Sequence, residues 1–292
     1  MKAVKRPLTW NEFYKFCEKE WEKIIGDSAR FEIPHIFWHL FGVAKSDIIL
    51  NGDLTVNERN VDKFLEILKK RKSGTPLQYA LGKWEFMGID LKVGEGVLIP
   101  REDTSVLVNS VLKNIEFKNP AKIIDLCSGS GCVALALEKN VKSETEIYAA
   151  ELSEKAFGYL KSNCLSNCSK VNLINDDIFN CYKRFEDGFF DAVVSNPPYI
   201  PKEDIKNLQP EVHFEPILAL DGGYDGLEFY RKICKYWIPK ISCGGILAFE
   251  VGVNQSEDVE DIMNSYGIKT VKKFPDINNI PRVVLGIKNS DQ

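Results

Sequence analysis

From residue 104 onward the chain alternates between two kinds of segment, and no other feature limits its fold as much. Short apolar runs of strand length come at AKIIDL (121–126), EIYAAEL (146–152), KVNLINDD (170–177), FFDAVVSNPPY (189–199), GGILAFEVG (244–252) and PRVVLGIKN (281–289). Most are separated by segments with apolar residues at helical spacing, such as GSGCVALALEKN (129–140), EKAFGYLKSNCLS (154–166) and EFYRKICKYWIPK (228–240). Strands joined through helices run parallel, and a parallel sheet is covered on both faces. The expected fold of 104–292 is therefore α/β, a mostly parallel sheet with helices on both sides. Ligands of such sheets lie beyond the carboxyl ends of the strands.

The first of those ends carries a glycine loop. Gly129, Gly131 and Ala134 in IIDLCSGSGCVALAL form G-x-G-x-x-A between a strand and a helix. The first glycine permits a tight turn, the second a close approach of ligand to backbone, and the small third residue close packing of helix on strand. Glu151 ends the next strand, placed to accept from both hydroxyls of a ribose. This pattern suits a dinucleotide, whose pyrophosphate would sit on the helix N-terminus. It also suits S-adenosylmethionine, which has the ribose but no phosphate. Asp125 favours the second, because a carboxylate repels a pyrophosphate and attracts an ammonium or sulfonium. Asp177, closing the third strand, can accept from an adenine amino group, and Ile178 and Phe179 can pack on its face. A turn with no ligand would not account for acidic residues at three successive strand ends.

The fourth strand ends in Asn196-Pro197-Pro198-Tyr199. Each proline pushes the residue before it into extended geometry and lacks an N–H donor. The tip is therefore stiff and rich in acceptors: the Asn196 side-chain oxygen and the Pro197 carbonyl. Two fixed acceptors suit a planar NH₂ group, and Tyr199 can stack on a flat ligand. Such a tip would orient the nitrogen for in-line attack on a methyl sulfonium, by position and local electrostatics without a covalent intermediate.

The rest of the chain is different in kind. Thr9 with Glu12, and Thr55 with Glu58, read as capping boxes opening helices. The first has Phe13, Phe16, Cys17, Trp21, Ile24 and Ile25 at helical spacing and Gly26 at its end; the second has Val61, Phe64, Leu65 and Leu68. With a short helix over 33–41 they make residues 1–74 a small helical bundle. Residues 75–103 read as a β-hairpin linker punctuated by Gly82, Gly88, Gly94 and Gly96. The run Lys69–Lys72 reads as a solvated helix end complementing the helix dipole. His35 and His39 read as packing residues, and nothing in the sequence has metal-ligand spacing.

Composition excludes several classes. The net charge is −4, which argues against a chain whose main role is gripping nucleic acid. Residues 1–74 hold 14 basic against 11 acidic residues, so the acidity belongs to the remainder. No apolar run approaches the roughly 20 residues of a membrane helix, and MKAVKRPLTW has no apolar core of a secretory signal. Eight cysteines without a C-x-x-C pair point to reduced thiols and a cytoplasmic location.

Together these motifs resemble the Rossmann-like methyltransferases with an (N/D)-P-P-(Y/F/W) tip. GTPLQYALGKWEFMGIDLKVGEGVLIPREDT (74–104), DLCSGSGCVALAL (125–137), SNPPYIP (195–201), EPILALDGGYDGLEFYRKI (215–233) and FEVG (249–252) narrow this to the protein-(glutamine-N5) methyltransferases of the HemK/PrmC family, which modify peptide chain release factors. The resemblance implies S-adenosyl-L-methionine as cofactor, the glutamine of a release factor Gly-Gly-Gln motif as substrate, and a role in translation termination. It implies that Asp125, Cys127, Ser128, Gly129, Ser130, Gly131 and Glu151 line the cofactor, that Asp177 and Ile178 flank the adenine, and that Asn196, Pro197, Pro198 and Tyr199 hold the glutamine. Arg101 and the DGGYDG loop (221–226) would border the cleft, and the chain would act as a monomer without nucleic acid or membrane. A ribosomal-protein glutamine methyltransferase is the alternative. A DNA adenine methyltransferase fits worse, lacking a basic target-recognition domain, and a non-catalytic scaffold would not need the intact tip.

Overall fold

In the computed structural model, residues 8–115 and 120–289 are described; most of the MKAVKRPLTW segment lies outside them. The chain divides into two compact units, Met1–Gly82 and Lys83–Gln292.

The first unit is helical: α1 (Trp10–Ile25), α2 (Ala29–Phe41), α3 (Lys45–Asn51), α4 (Glu58–Lys72) and α5 (Leu77–Leu81). The Thr9–Glu12 capping box forms, and Gly26 closes α1. An aromatic core follows, with Phe13 5.5 Å from Phe37 and 5.7 Å from Phe64, ring centre to ring centre. The second capping box does not form. Asn57, a better N-cap, accepts from the Arg59 amide at 2.9 Å, and Thr55 is instead bridged to Thr9. Lys69–Lys72 occupies the last turn of α4, but Arg71 is buried and bonded to Glu32 at 3.2 Å. Its fork satisfies a carboxylate that also accepts from Trp21 Nε1, so it is part of the core and not a solvated charge. His35 is exposed. The start of the expected linker is helix α5, closed by Gly82 at φ 74. The helical unit thus runs to residue 82, past the expected 74.

The second unit opens with a hairpin of β1 (Lys83–Phe86) and β2 (Ile89–Lys92). Then come α6 (Thr104–Asn114), β3 (Ala121–Leu126), α7 (Cys132–Asn140), β4 (Thr145–Glu151), α8 (Glu154–Ser166), β5 (Asn172–Asn175), α9 (Ile178–Cys181), β6 (Phe190–Ser195), α10 (Glu228–Trp237), β7 (Ile241–Glu250), α11 (Ser256–Ser265), β8 (Thr270–Pro275) and β9 (Pro281–Ile287). The seven-stranded sheet has the order β5-β4-β3-β6-β7-β9-β8. Its pairs are parallel as far as β7; β9 is antiparallel to both β7 and β8. Every residue of β6 is buried, as expected for a strand covered on both faces. One apolar cluster lies on the face of α6, α7 and α8, the other on that of α10 and α11. Strand β8, TVKKFP, is absent from the strands read in the sequence: two lysines break its apolar run, which suits the sheet edge it occupies. Chain order reverses between β3 and β6, so the crevice of this sheet opens above those two strands.

Candidate active site

Strand register lines up the residues at the crevice. Asn175 pairs with Glu151; Leu126 pairs with both Ala150 and Ser195; Ser195 pairs with Phe249. One residue further along each strand, Cys127, Asn196 and Glu250 continue the same row. Five neighbouring strands thus present Asn175, Glu151, Cys127, Asn196 and Glu250 side by side at roughly 4.8 Å spacing.

Above this row is a cavity open to solvent. It brings together Asp125, Cys127, Ser128, Gly129, Ser130, Glu151, Asp177, Ile178, Asn196, Pro198 and Arg101 from the expected set. Gly131, Pro197 and Tyr199 do not line it. Gly131 serves packing instead. A Cβ there would stand 2.5 Å from Leu160 Cδ1, so the glycine lets α8 close on the loop. Its φ of 84 is also left-handed. Asn163, fully buried on α8, reinforces the closure by donating to the Ser130 carbonyl at 2.9 Å. The same side chain bonds both backbone groups of Lys92, tying the hairpin to the glycine loop.

The acidic residues are held in distinct ways. Asp125 is buried and accepts from the Ala134 amide at 3.2 Å. Burial pushes its carboxyl up to about 7, against the pull of hydrogen bonds from Ser128 and Ala134. Glu151 accepts from the amides of Gly129 at 2.8 Å and Ser153 at 2.7 Å. Burial raises its pKa, while those amides oppose the rise. Asp177 caps α9, accepting from Phe179 N at 2.8 Å. Each carboxylate has lone pairs beyond those used here. Among the described residues Arg101 is the one basic side chain lining the cavity, and it is paired with buried Glu215. Glu215 also accepts from the Ile99 amide at 3.0 Å. This pair ties the Pro216–Ala219 segment, which lines the cavity, to the segment carrying Ile99 and Arg101.

The tip is braced from behind. Ile200 and Asp221 form a β-bridge, and the Tyr199 carbonyl accepts from Gln255 Nε2 at 2.9 Å. Gly222 packs so closely that a Cβ would lie 2.7 Å from two Tyr199 backbone atoms. The DGGYDG loop therefore supports the tip, and none of its residues lines the cavity. Asn196 Nδ2 donates to Thr104 Oγ1 at 3.4 Å.

Sequence reasoning does not single out Val97, Thr104, Ser153 or Phe229, all of which line the cavity. Thr104 is the one with a signal, because it follows the segment that carries Arg101.

Residues 102–211 match the family described as Methyltransferase small domain, and residues 18–82 match PrmC N-terminal domain. A release factor glutamine methyltransferase of Clostridium acetobutylicum is 37% identical over 245 residues, 82% of this chain and 85% of that relative. The chain belongs to the release factor glutamine methyltransferase family. Another member, from Geobacter sulfurreducens, is 35% identical over 97% of this chain and 96% of its own. The fold also matches the crystal structure of a methyltransferase from Pyrococcus furiosus at a TM-score of 0.51, with 16% identity, over 80% of this chain and 100% of that one. Like its family, the chain is a methyltransferase, and its methyl donor is S-adenosylmethionine. No helix among the described residues is long and apolar enough to cross a membrane.

Proposed function

We propose that the protein methylates N5 of the glutamine in the Gly-Gly-Gln motif of peptide chain release factors. One observation carries this reading: Asn196, its amide nitrogen engaged by Thr104, stands in a cavity whose polar side chains suit S-adenosylmethionine. The fit follows from charge. Asp125, Glu151 and Asp177 are acceptors for an ammonium, ribose hydroxyls and an adenine amino group. A pyrophosphate would find only Arg101, already neutralised by Glu215. Ile178, Phe179 and Phe229 supply apolar surface for a flat ring.

Bound S-adenosylmethionine supplies a methyl group activated by its sulfonium. Asn196 Oδ1 accepts a hydrogen of the substrate amide, orienting the nitrogen and drawing its lone pair out of conjugation with the carbonyl. The rigid Pro197-Pro198 backbone holds that acceptor still, so most of the catalysis is positioning. No covalent enzyme intermediate is needed. The names of the relatives support the release factor as substrate. Labelled S-adenosylmethionine and a release factor test the reading: label should enter the protein once, at that glutamine. Label entering a ribosomal protein but not the release factor would refute it.

A further inference from the structure

Glu250 ends β7 beside Asn196 and is only 3% exposed. Among the described residues its Oε2 has no hydrogen-bond partner. Leaving a carboxylate oxygen buried without a partner is costly, so its retention calls for a reason. The side chains of Thr104 and Asn196 stand close enough to favour its ionised form. Thr104, itself 1% exposed, has one hydroxyl hydrogen and two lone pairs. It can donate to Glu250 while accepting from Asn196 Nδ2 at 3.4 Å. Three side chains from the ends of β6 and β7 and the start of α6 therefore form one polar cluster.

The chemistry of that cluster fixes a direction. An ionised carboxylate can only accept, so the atom Asn196 turns toward it must be Nδ2. Oδ1 is then the atom left to face the cavity. Turned the other way, Asn196 would present N–H donors to the N–H donors of a substrate amide. We propose that Glu250 is a positioning residue for methyl transfer: its carboxylate, with Thr104, fixes the rotamer of the Asn196 carboxamide that accepts from the substrate. This rests on the glutamine-methylating reading above and deepens it.

A protonated Glu250 could donate to Asn196 Oδ1 and so permit the inverted amide. Burial pushes its pKa up to about 7, opposed first by Thr104; Asp103 raises it further, and Arg282 and Asn196 lower it. The side chains of Tyr199, Tyr230 and Cys132 also feel its charge. Tyr230 Oη donates to the Glu250 backbone carbonyl at 2.9 Å and so holds the strand end.

The test compares wild type, Glu250→Gln and Glu250→Ala for methyl transfer to a release factor, with S-adenosylmethionine affinity and thermal unfolding measured alongside. Wild-type kcat at saturating cofactor should rise as pH increases through about 7. Glu250→Gln keeps one acceptor oxygen but can itself flip; its kcat should fall about tenfold and lose that pH dependence, with cofactor affinity within about threefold. Glu250→Ala should fall about a hundredfold. Equal kcat and pH profile in wild type and Glu250→Gln would overturn the proposal. So would a kcat loss matched by lost cofactor affinity or lost folding, which marks a purely structural role. A wild type that does not methylate the release factor would refute the substrate reading instead.

Discussion

At the residue scale the cavity is governed by carboxylates that burial makes reluctant to ionise. Asp125 is the clearest case, its pKa raised from 3.8 to about 7. The unliganded folded protein therefore holds a proton on this group that the unfolded chain has lost between those two values. Asp125, and Glu250 likewise, make the unliganded protein less stable as pH rises through that window. A cofactor ammonium held against Asp125 would reverse the preference by favouring the carboxylate. Its affinity should accordingly weaken as pH falls below about 7, by up to about tenfold per pH unit, with a proton released on binding. Calorimetric titration at several pH values in two buffers checks both; a pH-independent affinity would remove Asp125 from the cofactor site. Asn196 is expected to act on the chemical step alone. Asn196→Ala should lower kcat by about 10²–10³ with little change in cofactor affinity, comparable to losing one preorganised hydrogen-bonding group. Much of this is legible in the sequence: Asp125, Glu151, Asp177 and Asn196 all lie at or just beyond strand ends, and a strand end in a parallel sheet is an address. Glu250 ends a strand too, but its role depends on the side chains of Thr104 and Asn196 meeting it, and nothing in FEVG announces that.

At the element scale, glycines decide how loops close. Gly131→Ala would drive a Cβ to 2.5 Å from Leu160 and place alanine at φ 84. A loss of about 1–3 kcal/mol in unfolding free energy is expected, read by denaturant titration. Gly222→Ala should act differently, because its Cβ would meet Tyr199 backbone, which cannot rotate away. The tip would shift, lowering kcat by about 10–100-fold while cofactor affinity changes less than about threefold. Steady-state kinetics with a cofactor titration separates these outcomes. The strand–helix rhythm reveals most strands of the sheet because apolar runs of six or seven residues are hard to mistake. Strand β8 escapes it since an edge strand need be apolar on one face only. Helix α5 escapes it because its five residues carry no full helical period. The Thr55 cap fails because a better cap, Asn57, lies two residues on.

At the scale of the whole molecule, a helical unit precedes a methyltransferase unit whose crevice is acidic. That acidity suits a cationic cofactor and a neutral amide, and it opposes a phosphate-rich substrate. The tip motif is enough to suggest that a planar NH₂ is held; strand register sets Asn196 in the cavity. Neither identifies the protein that carries the glutamine, since four residues that suit a planar NH₂ carry no mark of the chain that presents it. The direct measurement offers labelled S-adenosylmethionine to a release factor and to its Gly-Gly-Ala variant. Label in the first and none in the second is the expected result. Equal labelling of the two, or none of either, would contradict the assignment.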